Sequence, residues 1–163
     1  MRTIGILLLS LTPFLFGLDY RSSLKKQRDL FLNLRDFVIF TKEQIRFCLR
    51  ERDEIFALSD TCPEFCGDFL LMIKKSVKRG ENIAKRIEEN NYNRLKTKEI
   101  SEIEAFFLGL GKTDAEGQIS HCDHYINLFG KKSERLENSY TAKSRISLGL
   151  SLSLTAAMFI IMI

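Results

Sequence analysis

The chain has 163 residues, with 25 Lys and Arg against 21 Asp and Glu, for a formal net charge of +4. That length has room for one domain and excludes a second of ordinary size. The charge is unevenly placed: every acidic residue, and every basic one except Arg2, lies between Asp19 and Arg145, so a polar middle is flanked by apolar ends.

The first apolar segment, residues 3–18, carries no charge and contains Pro13. It is a poor signal peptide. Cleavage after Gly17 would put Leu15 where a small residue is wanted, and cleavage after Thr12 would set Pro13 beside the cut. It reads instead as a membrane helix that continues into the next element. From Leu24 to about Phe56 there are almost no breakers. Leu30 or Phe31, Leu34, Phe37 or Val38, Ile45, Cys48 or Leu49 and Ile55 recur at helical spacing, which predicts one long amphipathic helix.

Ser59 to Cys62 predicts a break, and Pro63 suits the first position of the next helix. Its apolar stripe is Phe65, Cys66, Phe69, Met72, Ile73 and Val77, and Gly80 ends it. A short helix from Glu81 to about Glu89 carries Ile83, Ala84 and Ile87, and Asn90-Asn91-Tyr92-Asn93 is a polar connector. The following helix, from Lys98 to Leu110, presents Ile100, Ile103, Phe106, Phe107 and Leu110.

Leu108 to Gln118 is the densest run of local signals. Gly109 and Gly111 can reverse a helix through a left-handed cap, and Thr113 with Glu116 has the spacing of a capping box. The helix that starts there carries Ile119, Cys122, Ile126, Phe129, Leu136 and Tyr140 on one face, interrupted by Ser133. No stop separates it from residues 146–163, which are 18 uncharged residues, about 27 Å of helix and close to the thickness of a bilayer core. Ser147 to Thr155 alternates like a strand, but the run goes on apolar on both faces and exceeds strand length. Gly149, Ser153 and Ala157 have the small-xxx-small spacing of packed membrane helices.

Arg21, Lys25, Lys26 and Arg28 follow the first span, and Lys143 and Arg145 precede the second. Basic flanks stay in the cytosol, which predicts a cytosolic domain, residues 19–145, between transmembrane helices 3–18 and 146–163. The fold class is all-α, a small bundle of four to six helices.

Chemistry is sparse. Gly111-Lys112-Thr113 fails as a phosphate-binding loop, because Phe106 stands where the first glycine is needed and a helix precedes it instead of a strand. Cys62, Cys66, His121, Cys122 and His124 could be metal ligands, and a membrane-anchored Cys/His metal regulator is the alternative function. Against it, Cys66 and Cys122 fall on apolar stripes, where a thiol behaves as a small hydrophobe. Both histidines read as solvated, and no disulfide is expected in a reducing cytosol. Lys74, Lys75, Lys78 and Arg79 read as the solvated end of a helix, with an acidic partner or lipid headgroups as the alternative. Neither catalytic residue, cofactor nor nucleic-acid partner is expected.

Leu108-Gly109 through Gly111, then Asp114, Gly117 and Gln118, then a long helix and the pair Leu148-Gly149, resemble the stage III sporulation protein AB family in order and spacing. Phe40-Thr41-Lys42-Glu43-Gln44-Ile45-Arg46-Phe47 is similar to that family's stretch ending in Glu-Ile-x-Tyr, with Gln44 and Phe47 replacing its glutamate and tyrosine. The family's Pro-Leu-Pro segment is absent, and Cys48-Leu49-Arg50-Glu51 stands in its place. The resemblance makes Gly109, Gly111, Thr113, Asp114, Glu116, Gly117 and Gln118 a structural turn. It implies a helical membrane protein similar to the platform (F) component of type II secretion systems, set in the outer forespore membrane with its domain in the mother-cell cytosol. The partners it implies are other subunits of the sporulation channel, including its secretion-type ATPase, stage III sporulation protein AA, with a homo-oligomer left open.

Overall fold

The computed structural model describes the backbone of residues 2–90, 92 and 95–162, and the side-chain surroundings of residues 22–90, 92, 95–141 and 153. Among the described residues every regular element is helical. In chain order they are α1 (Arg2–Cys48), α2 (Arg52–Ser59), a 3-10 turn (Pro63–Phe65), α3 (Asp68–Arg79), α4 (Ile83–Glu89), α5 (Thr97–Gly109) and α6 (Ala115–Met162). The chain divides into two compact units, Met1–Asp29 with Lys132–Ile163, and Leu30–Lys131.

The unit Leu30–Lys131 is built on an aromatic core. Phe31, Leu34, Phe37 and Val38 form the inner stripe of α1 and are fully buried, at the spacing that sets them on one face. Phe37 sits at its centre, with ring centroids of Phe56, Phe65 and Phe107 at 6.2, 5.7 and 5.8 Å, within the range where aromatic pairs attract beyond their burial. Phe106 packs edge-on against Phe107 at 5.0 Å and Phe129 at 6.2 Å. The predicted stripe of α5 is buried throughout, Ile100, Ile103, Phe106, Phe107 and Leu110 alike. Lys42 of α1 is paired with Asp123 of α6 at 2.6 Å.

Several expectations are corrected. The long helix does not run to Phe56: α1 ends at Cys48, and α2 begins at Arg52. Leu49 takes φ +49°, a left-handed value at which the chain leaves the helix with no glycine to mark the place. Its amide donates to the Ile45 carbonyl at 3.1 Å, and the Arg50 guanidinium to the Gln44 side chain at 2.8 Å. Pro63 opens only the 3-10 turn, and α3 begins after Gly67. Cys66 is exposed rather than on the apolar stripe. Gly80 does end α3, at φ +66°, with the Glu81 amide bonded to the Ser76 carbonyl at 2.9 Å and its own amide to Val77 at 3.2 Å, a Schellman cap.

Lys74 is not part of a solvated helix end. It is 2% exposed, and its ammonium donates to Ser59 Oγ at 2.9 Å and Asp60 Oδ1 at 2.5 Å, so the charge is buried with a carboxylate and a hydroxyl as partners. On α6 the buried stripe is Gln118, Cys122, Tyr125, Phe129 and Ser133. Ile119, Ile126, Leu136 and Tyr140 are half-buried beside it, and Ser133 belongs to the stripe it was expected to interrupt.

In the other unit, α1 and α6 are joined by Arg28, whose guanidinium contacts Asp29 at 2.7 Å and Glu137 at 2.5 Å. The hydrogen bond it donates to Glu137 is the main reason its pKa is raised. Residues 3–18 and 146–162 are helical, continuous with α1 and α6. Apart from Ser153, their side chains lie outside the described residues, among which no helix is long and apolar enough to cross a membrane.

Candidate functional site

The turn from Gly109 to Gln118 is organised by one buried side chain. Gln118 is 5% exposed. Its Oε1 accepts the Gly111 N–H at 3.1 Å, while its Nε2 donates to the Gly109 carbonyl at 3.4 Å and to Thr113 Oγ1 at 3.0 Å. The first turn of α6 thereby satisfies backbone groups left open by the end of α5. Gly111 has φ +80°, a value only glycine adopts without strain.

The cap of α6 sits one residue later than the capping-box spacing suggests. Helix begins at Ala115, and Asp114 Oδ1 accepts the Gly117 N–H at 3.0 Å, which makes Asp114 the N-cap. Thr113, expected to cap, is instead the acceptor for Gln118. A carboxylate reaches the Gly117 amide more favourably than a hydroxyl because the helix start is positive, and Glu116 adds a second acidic group in the same turn. A Cβ on Gly117 would lie 2.8 Å from both Asp114 Oδ1 and Thr113 Oγ1, so glycine at that position lets both side chains fold over the backbone.

Gly109 has a packing role that the sequence does not announce. A Cβ there would come 2.4 Å from His121 Cε1 and 2.7 Å from Nε2. The His121 ring covers the glycine, stacks on Phe106 at 5.6 Å and 10°, and places Nε2 3.1 Å from the Phe106 carbonyl oxygen. That oxygen can only accept, so Nε2 carries the proton. His121 is thus a half-buried strut rather than a solvated side chain, while His124 is exposed. The sequence signal was the small residue at Gly109, which is read there only as a helix stop.

Among the described residues no catalytic constellation emerges. The Cys66 thiol donates to the carbonyls of Cys62 at 3.2 Å and Asp60 at 3.4 Å, and the Cys62 thiol donates to the Leu58 carbonyl at 3.7 Å. Cys122 is fully buried, and burial pushes its thiol pKa up to about 12, which keeps it protonated and unreactive at neutral pH. Among the described residues no group of three or more His, Cys, Asp or Glu side chains could hold a metal ion, so the metal alternative is not favoured. Phe106, in the position of a phosphate-loop glycine, is a core residue at the end of a helix.

Beside the turn lies a cavity of about 450 Å³. Ile45, Ile55 and Leu110 line it from within, and Leu49 and Arg50 stand on the side of the α1–α2 reversal. The two helix reversals thus share one opening.

Among the described residues these features define an all-helical chain of two long helices and four short ones, whose α5–α6 turn is a structural cap. The sequence model of stage III sporulation protein AB matches residues 2–163. The chain belongs to that family, and the family implies a role in sporulation. No curated protein and no solved structure matches the chain.

Proposed function

We propose that the protein is a non-enzymatic platform subunit of the channel between mother cell and forespore, anchored by membrane helices 3–18 and 146–163. The observation that carries this reading is the family match over residues 2–163, joined to the way the uncharged segments extend α1 and α6. Arg28 and Glu137 tie those helices together. Leu18 lies ten residues before Arg28 and Ile146 nine residues after Glu137, about 15 and 14 Å along each helix. Both uncharged segments then begin at one level, as two spans entering one membrane would.

The basic flanks favour a middle domain in the mother-cell cytosol, where the channel's secretion-type ATPase and other subunits are its partners. The resemblance to the type II secretion platform points the same way. A deletion strain should stall after engulfment, and normal spore yield in that strain would dismiss the reading. Cysteine-accessibility labelling in intact cells should find residues 19–145 cytosolic; labelling of this segment from outside would overturn the orientation.

A further inference from the structure

Phe47 and Leu49, each 74% exposed, flank Cys48 at the α1–α2 reversal. Charge selects no partner for them, since exposed Glu43, Glu51 and Glu54 stand within about one turn of Arg46 and Arg50. The backbone is more telling. Among the described residues three positions have positive φ: two are Gly80 and Gly111, and the third is Leu49 at φ +49°. A side chain at such an angle is strained where glycine is not, and an outlier of this kind is a reason to look for a function.

The reversal is short and thinly held. Residues 49–51 alone separate α1 from α2. Glu51, the N-cap of α2, makes no side-chain cap bond, and the Arg50 amide meets the Gln44 carbonyl only at 3.5 Å. Leu49, Arg50, Glu51 and Arg52 are all good helix formers, so local preference opposes the turn. What closes it is packing at a distance. Phe56 of α2 lies 6.2 Å from Phe37 of α1, and α1 is held to α6 by Phe31 against Phe129 at 6.0 Å and by Lys42 with Asp123 at 2.6 Å. None of these contacts needs both members on one chain.

We infer that two copies of this chain exchange α1 through the hinge at Leu49, so that the Leu30–Cys48 stretch of each packs on α2–α6 of the other. The exchange restores every core contact between copies and discards the strained turn, and a short hinge under strain is the kind of link that promotes it. The partner is thus a second copy, recognised by the core itself. The two hinges cross in the exchanged pair, which brings Phe47 and Leu49 of one copy beside those of the other and covers side chains that the closed chain leaves in solvent. The inference concerns self-association and stands apart from the sporulation-channel role.

The test uses the full-length protein in membranes. Lys42 and Asp123 touch and are both partly exposed, so a zero-length carbodiimide joins them by an amide. Lys42→Arg removes the amine and keeps the charge, and Asp123→Asn removes the carboxylate and keeps an acceptor. Neither variant can form the link within its own chain. Produced together with different tags, the two should yield a doubly tagged product whose crosslinked peptide joins Lys42 of one copy to Asp123 of the other. Leu49→Gly in both copies should lower that yield by about tenfold, because the hinge then closes without strain. Four Gly and Ser residues inserted after Arg50 should lower it likewise, by lengthening the hinge. With Lys42 and Asp123 both native, each hinge variant should still form the link within one chain, which shows its fold intact. Absence of the inter-copy link, or a product joined only through other residues, overturns the proposal. So does an inter-copy link that neither hinge variant lowers.

Discussion

The two helix reversals that share the cavity solve the same problem with opposite means. Between α5 and α6 the chain uses Gly111 at φ +80°, an Asp114 cap and the triple contact of Gln118. Between α1 and α2 it uses Leu49 at φ +49°, with Arg50 reaching back to Gln44. The first turn satisfies its polar groups internally and hides its organiser. The second accepts backbone strain and leaves Phe47 and Leu49 exposed. The difference is between a turn satisfied from within and one that carries strain and exposure.

The largest effect should come from Gln118→Leu. It keeps the side chain's bulk but removes the contacts to the Gly111 amide, the Gly109 carbonyl and Thr113 Oγ1, leaving the carbonyl only the Lys112 amide at 3.3 Å, a loss of about 3 kcal/mol at about 1 kcal/mol per bond. Urea denaturation of the purified full-length protein would show it as a lowered midpoint, and an unchanged midpoint would mean that Gln118 does not organise the turn. Next is Gly109→Ala, whose Cβ would strike the His121 ring and cost about 2 kcal/mol by overpacking. Adding His121→Ala should recover part of that loss, and strictly additive effects would break the strut argument.

Asp114→Ala should cost about 1 kcal/mol as a lost N-cap, and more than Thr113→Ala, by thermal unfolding. The reverse order would return the cap to Thr113. The smallest effect has the opposite sign. Leu49→Gly should stabilise by about 0.5 kcal/mol, the relief of left-handed strain less the added freedom of the unfolded chain.

The same contrast explains what the sequence discloses. Helices with regular apolar spacing are legible, and α5 shows it best, since its five predicted inward residues are all buried. The α5–α6 turn is legible as a turn because glycines mark it. Its wiring is not, because Gln118 and His121 act through contacts that only the folded backbone creates. The break at Leu49 is invisible to pattern reading: no Gly or Pro stands there, and Ile45, Cys48 and Ile55 continue the helical spacing across it. Lys74 misleads for a related reason. A lysine near a helix end is ordinarily solvated, and only the position of Asp60 and Ser59 lets this one be buried. Cys66 misleads in reverse, sitting at a stripe position that the chain leaves before α3 begins.

Unfolding Leu49→Gly and Gln118→Leu side by side in the full-length protein tests the division of labour most directly. The expected result is a midpoint that rises slightly for Leu49→Gly and falls steeply for Gln118→Leu. A fall for Leu49→Gly as large as that for Gln118→Leu would show that the leucine reversal supports the fold just as the glycine turn does, and the contrast between them would be lost.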